Sequence, residues 1–137
     1  MNAILGEPTN IGLPNVVQQE TNKSAMRINS ELWVKAYLRT CNSSGAAAFV
    51  VRRGDEHGGS VFVRINMLDG TSTLFGPAAA GLADVVSDRF WSLRFTGSDS
   101  DADALIAREA SFDPDLWLIE VEDRQGRHFL GDWLISG

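Results

Sequence analysis

Apolar residues recur along this chain at two spacings, and the change from one to the other marks its elements. Trp33, Val34, Tyr37, Leu38 and Cys41 fall at i, i+1, i+4, i+5 and i+8, one face of an α-helix. Asn29 is placed to cap that helix, with Ile28 able to staple onto Trp33. Glu31 and Lys35 form an i,i+4 pair on the polar side, and Asn42–Gly45 supply the stop signals. The period then drops to two. Ala47–Arg53 is short, β-branched and bounded by glycine. In Ser60–Leu68, Val61, Val63, Ile65 and Met67 alternate against Phe62, Arg64 and Asn66. Asp69-Gly70 is a tight-hairpin signal, so Thr71–Phe75 is expected to return antiparallel.

Beyond a Pro77-containing small-residue stretch, Gly76–Asp88, read as a loop or weak helical turn, Arg89–Thr96 sets Trp91, Leu93 and Phe95 against Phe90, Ser92 and Arg94. A second helix is expected from Ser98–Ser100, with Ser100 and Asp103 as a capping box and Asp99, Asp101 and Asp103 at the positive end of its dipole. Leu105, Ile106 and Ala110 form its apolar side, and Pro114 ends it. Leu116–Glu122 reads as a strand with Trp117, Ile119 and Val121 inward and Glu120 and Glu122 outward. For His128–Ile135 the pattern leaves strand and short helix both open.

The order α-β-β-β-β-α-β predicts an α+β fold: a single domain over 26–137, a mostly antiparallel sheet of about five strands, and two or three helices on one face. Residues 1–25 read as a disordered N-terminal tail, because Pro, Asn, Gln, Thr and Ser dominate and the few apolar residues have no period. Met26 opens the patterned part of the chain.

Composition narrows the partners. The chain has 137 residues, 44% of them hydrophobic and 22% charged, the make-up of an ordinary single globular domain. The net charge of −6 argues against a nucleic-acid surface. It is also uneven: seven basic and six acidic residues up to Ala83, five basic and twelve acidic from Asp84 on. No apolar run is long enough to cross a bilayer and no signal-peptide pattern opens the chain, so a cytoplasmic protein is expected.

Chemistry-bearing motifs are scarce. There is no P-loop, G-x-G-x-x-G, H-E-x-x-H or G-x-S-x-G. The loop Gly54-Asp55-Glu56-His57-Gly58-Gly59 joins carboxylates to an imidazole, yet adjacent loop residues rarely converge on one ion, and it reads as a polar connection. His128, after Glu120, Glu122 and Asp123, could act as acid or base but reads as a half-buried or surface residue. Cys41, the only cysteine, lies on the apolar stripe of the first helix and reads as core. The acidic run at Asp99, Asp101 and Asp103 lacks the glycine and glutamate of a calcium loop. Trp33, Trp91 and Trp117 belong to apolar faces, while Trp133 is either tucked in or an interface anchor.

One constellation suggests a surface. The faces opposite the apolar ones carry Phe62, Arg64, Phe90, Arg94, Leu118, Glu120 and Glu122, joined by Arg52 if Val51 points inward. This is either a solvated lattice of ion pairs or a partner surface, since arginine and aromatics are enriched at interface centres.

Three blocks carry a resemblance: Met26-Arg27-Ile28-Asn29-Ser30-Glu31-Leu32-Trp33-Val34-Lys35-Ala36, Ala48-Phe49-Val50-Val51-Arg52-Arg53-Gly54-Asp55 and Phe112-Asp113-Pro114-Asp115-Leu116-Trp117. Over roughly Met26 to Leu130 the chain resembles a small uncharacterised bacterial family, a domain of unknown function. The resemblance implies a compact bacterial cytoplasmic domain and no particular activity. Members tend to open near Met26, so the first 25 residues depart from the pattern.

The expectation is a non-enzymatic interaction domain, self-associating through a sheet face or edge, with Phe62, Arg64, Phe90 and Arg94 as the candidate surface. It has no catalytic residue, metal or cofactor, and its partner is a second copy or another protein rather than nucleic acid or membrane. The rival readings are a small enzyme built on His57 or His128 with nearby carboxylates, and a small-molecule sensor with a pocket beside Tyr37. A chain beginning at Met26 is expected to melt within a few degrees of the full chain; loss of cooperative unfolding on that truncation would contradict the tail reading.

Overall fold

The computed structural model describes residues 29–78 and 90–135. The tail 1–25, the staple from Ile28 and most of the loop expected at Gly76–Asp88 lie outside these. Helix α1 is Ser30–Ser43, capped by Asn29, whose side chain accepts from the Leu32 amide. There follow β1 (Ala47–Arg52), β2 (Val61–Asn66), β3 (Thr71–Pro77), β4 (Trp91–Ser98), α2 (Asp99–Phe112) and β5 (Trp117–Glu122), then a short 3-10 turn at Gly131–Trp133. The undecided C-terminal segment is therefore neither a strand nor an α-helix, although it makes an isolated parallel bridge from Leu134 to Trp91. The N-cap of α2 is Ser98 rather than Ser100: the Ser98 hydroxyl accepts from the Asp101 amide.

The five strands form one mixed sheet in the order β1-β5-β2-β3-β4. β1–β5, β2–β3 and β3–β4 are antiparallel, while β2 and β5 run parallel, with Val63 opposite Ile119. A parallel pair needs a crossover, and here β3, β4 and α2 supply it.

The helices lie on opposite faces, not on one. α1 packs Trp33, Val34, Tyr37 and Cys41 against Val61, Val63, Ile65, Ile119 and Val121. On the other face, Ile106 and Leu105 of α2 pack with Phe62, Leu74 and Leu118. The reason is β2, where all five residues from Val61 to Ile65 are buried. A strand buried on both sides requires cover on both sides.

A bulge corrects a second expectation. β4 pairs Leu74 with Phe95 and then Phe75 with Leu93, skipping Arg94. The extra residue flips the alternation, so Phe95 joins the α2-side cluster while Trp91 stays with α1.

Trp33 stacks on Tyr37 and Trp91 with centroids 4.8 and 4.2 Å apart, and Trp133 meets Trp33 and Trp91 edge-on. Trp91 donates its indole N–H to the Val61 carbonyl at 2.8 Å. The buried Trp33 indole N–H has no hydrogen-bond partner among the described residues.

Arg64, only 8% exposed, is the charged member of the α2-side core. It pairs with Asp103, stands 3.5 Å from Asp99 and 4.0 Å from Glu120, and donates to Ser72 at 3.0 Å. Removing one partner of a buried pair costs more than the pair contributes. Because Asp99 and Asp103 are partly solvated, Arg64→Ala is expected to cost about 2–3 kcal/mol in urea unfolding. A loss below about 0.5 kcal/mol, the usual surface value, would show that solvent neutralises these carboxylates unaided.

Candidate functional site

The expected surface residues are only partly at the surface. Phe62 is 3% exposed, under α2, and Arg64 faces α2 carboxylates. Arg94 lays its guanidinium over the Phe62 ring at 5.3 Å and reaches Glu109 of α2 at 3.8 Å. Phe90 sits just before β4, half-buried, its carbonyl accepting from the Ala78 amide. The arginine–aromatic face is thus largely a seam within the chain, because the alternation that grouped these side chains could not say which helix covers them.

The two histidines differ in the carboxylates they meet. His57 is exposed, and its Nε2 lies 3.4 Å from Glu56. Its loop is a structural joint. Asp55 accepts from the amides of His57 and Gly58, its own amide donates to the Asp115 carbonyl, and its carbonyl accepts from the Trp117 indole at 2.7 Å. A Cβ on Gly54 or Gly59 would stand 2.1 Å from the Asp115 carbonyl oxygen, so glycine is needed at this approach. Ser30 donates to the Gly59 carbonyl, tying the loop to the start of α1.

His128 lies apart from Glu120, which bonds Asn66 beside Arg64, and from Asp123, whose carboxylate holds Arg127. Arg127 keeps the Asp123 carboxyl below its ordinary value. The His128 ring meets Phe75 edge-on, its Nδ1 accepts from the Leu130 amide at 2.9 Å, and its carbonyl accepts from the Tyr37 hydroxyl at 2.5 Å. Burial pushes the Tyr37 phenol well up and the Cys41 thiol up to about 11, so neither is poised to ionise near neutrality. Among the described residues, no group of three His, Cys, Asp or Glu side chains could hold a metal, and no helix is long and apolar enough to cross a membrane.

The surface that the alternation did not single out is β1. It stands at one end of the strand order and exposes three consecutive apolar side chains, Phe49 (41%), Val50 (38%) and Val51 (52%). Phe49 opposes Glu120 and Val50 opposes Ile119, but Val51 is bulged out and Arg52 pairs with Leu118. Arg52 so arrives on the α2 side, where it donates to the Leu116 and Pro114 carbonyls at 3.2 and 3.1 Å. This bond links β1 to the chain just beyond α2, whose last residue, Phe112, is 77% exposed. α2 itself lies over β3 and β4, leaving Phe49 uncovered. The sequence held one signal of this: Ala46–Val51 is apolar in both phases, the pattern of a strand covered on both faces.

A family model described as "Protein of unknown function (DUF1491)" matches residues 28–131. The crystal structure of a DUF1491 family protein from Caulobacter crescentus CB15 is 37% identical, with a TM-score of 0.67, over 81% of this chain and all of that one. An NMR structure of a DUF1491 family protein from the same organism is 38% identical, with a TM-score of 0.68, over 81% and 99% of the two chains. The solution structure of protein Atu0922 from A. tumefaciens is 34% identical, with a TM-score of 0.69, over 82% and 98%. No curated protein matches.

Burial holds the His128 imidazole below the ordinary histidine value of 6.5. A depressed histidine binds fewer protons folded than unfolded, so its stability contribution is full above 6.5. That contribution falls as pH drops through this value and levels off below the folded-state pKa. Unfolding midpoints measured between about pH 5 and pH 8 should therefore rise with pH, and His128→Gln should flatten that rise. An unchanged slope in the variant would remove His128 as its source.

Proposed function

The chain belongs to the DUF1491 family, and we propose that it acts as a non-enzymatic interaction domain that pairs with a second copy of itself through β1. The observation that carries this reading is the edge strand with three consecutive exposed apolar side chains, Phe49, Val50 and Val51. An apolar edge strand is a template for pairing, and a second copy is a common cover for it. Phe112, the last residue of α2, is also exposed, and Arg52 of β1 donates to the Pro114 carbonyl two residues beyond it. The same proposal takes the cytoplasm as its compartment, on the single buried, unpaired Cys41.

The enzyme reading has less support, because the two imidazoles are engaged separately: His57 is exposed beside Glu56, while His128 accepts from the Leu130 amide through Nδ1. The sensor reading is weakened by the Tyr37 hydroxyl being spent on the His128 carbonyl.

In sedimentation equilibrium at tens to hundreds of micromolar, the wild-type chain is expected to dimerise. Phe49→Glu should weaken that association roughly a hundredfold or more by burying an unpaired carboxylate, with the far-ultraviolet circular dichroism unchanged. A dimer that survives Phe49→Glu but dissociates with Phe90→Glu would move the interface to the β4 side of the sheet. A wild-type chain that stays monomeric throughout would end the self-association reading.

A further inference from the structure

The Asn42 side chain lies where a neighbouring strand would lie. Its amide nitrogen donates to the Ala48 carbonyl at 3.2 Å, and its amide oxygen accepts from the Ala48 N–H at 3.2 Å. A second donation, to the Leu38 carbonyl at 2.9 Å, fixes the amide to the last turn of α1. One primary amide thus reproduces the donor–acceptor pair that a paired strand residue presents.

These bonds also fix the direction of the β1 backbone. Ala48 gives both of its groups to Asn42, so they point away from β5, and Val50, two residues on, turns its groups the same way. Outward residues in an antiparallel pair bond to outward residues. A second β1 laid antiparallel would then set Ala48 against Val50 of the other copy, and Val50 against its Ala48, with a two-fold axis at Phe49. The side chains agree with this register. Ala48 and Val50, opposite Val121 and Ile119, face the α1 side, while Phe49, opposite Glu120, faces the α2 side. Phe49 would meet its own copy as a close, non-hydrogen-bonded aromatic pair. The backbone groups this pairing needs at Ala48 are the ones Asn42 holds.

We infer that Asn42 is a latch on the β1 edge: closed, it stands in for a strand and keeps the chain monomeric; displaced, it frees Ala48 to pair with Val50 of a second copy. This rests on the self-association reading and adds what sets its strength. The latch is a side chain with hydrogen bonds of the ordinary kind, each contributing only about 1 kcal/mol net, so strand pairing can compete with it and does not always win. The bulge at Val51 ends the pairable stretch, so the exchange is confined to Ala48–Val50 and does not propagate into an open-ended sheet.

Sedimentation equilibrium of the full chain, of Asn42→Ala and of Asn42→Ala with Val50→Pro tests this. Asn42→Ala should tighten dimerisation roughly tenfold or more, since dimer formation no longer has to break two copies of the latch. Val50→Pro should reverse the gain, because it removes an outward N–H that the β1–β5 ladder does not use. If Asn42→Ala associates no more tightly while Phe49→Glu still abolishes the wild-type dimer, the latch is overturned and the β1 dimer stands. If neither the wild type nor Asn42→Ala dimerises, both fall. Should Asn42→Ala fold poorly, the wild type still decides: the Asn42 side-chain amide and Ala48 backbone amide resonances should shift with concentration, and static resonances across the dimerisation range would overturn the latch.

Discussion

Strand β2 has no exposed face, and most of the architecture follows from covering it. Val61, Val63 and Ile65 turn to α1, and Phe62 and Arg64 turn to α2. Its two strand neighbours, β5 and β3, close its hydrogen-bonding edges. Because β5 joins it in parallel, the chain must leave the sheet and return, and α2 is the element that does so. Covering the second face of β2 and completing its parallel pairing are therefore one topological event.

That arrangement has an electrostatic consequence. Arg64 is carried into the core by its place in the alternation, and the cover above it brings the carboxylates that neutralise it. Asp99 and Asp103 lie in the first turns of α2, where acidic residues also complement the helix dipole. Glu120 reaches the same guanidinium from β5 and is held by Asn66. One buried cation thereby couples a helix start to the middle of the sheet. It also explains why Phe62 and Arg64, alternating with the α1-facing residues, are buried under α2.

The two ends of the sheet are closed by different means. At β4, the C-terminal segment bridges Trp91, with the Ile135 amide donating to the Trp91 carbonyl. At β1, Asn42 covers Ala48 and the Val51 bulge ends the strand, yet Phe49, Val50 and Val51 stay exposed. Backbone protected by a side chain beside apolar side chains left open is the combination expected of an edge that pairs reversibly.

Local rules determined much of this protein. The cap at Asn29, the stripe from Trp33 to Cys41, the Asp69–Gly70 turn and the alternation through Val61–Ile65 and Trp117–Val121 each rest on residues a few positions apart, and each stands in the structure. Tertiary structure decided what those rules cannot reach. Alternation sorts side chains into two sets without saying which set a helix will cover, so Phe62 and Arg64 looked like surface. A single bulged residue inverts everything after it, so Phe95 changed sides without any change in composition. Strand order is fixed by pairings between residues far apart in sequence, and only that order made the apolar run at Phe49–Val51 an edge rather than a core. The chemistry of each residue is written along the chain; its neighbours across the sheet depend on which distant segments exclude water together.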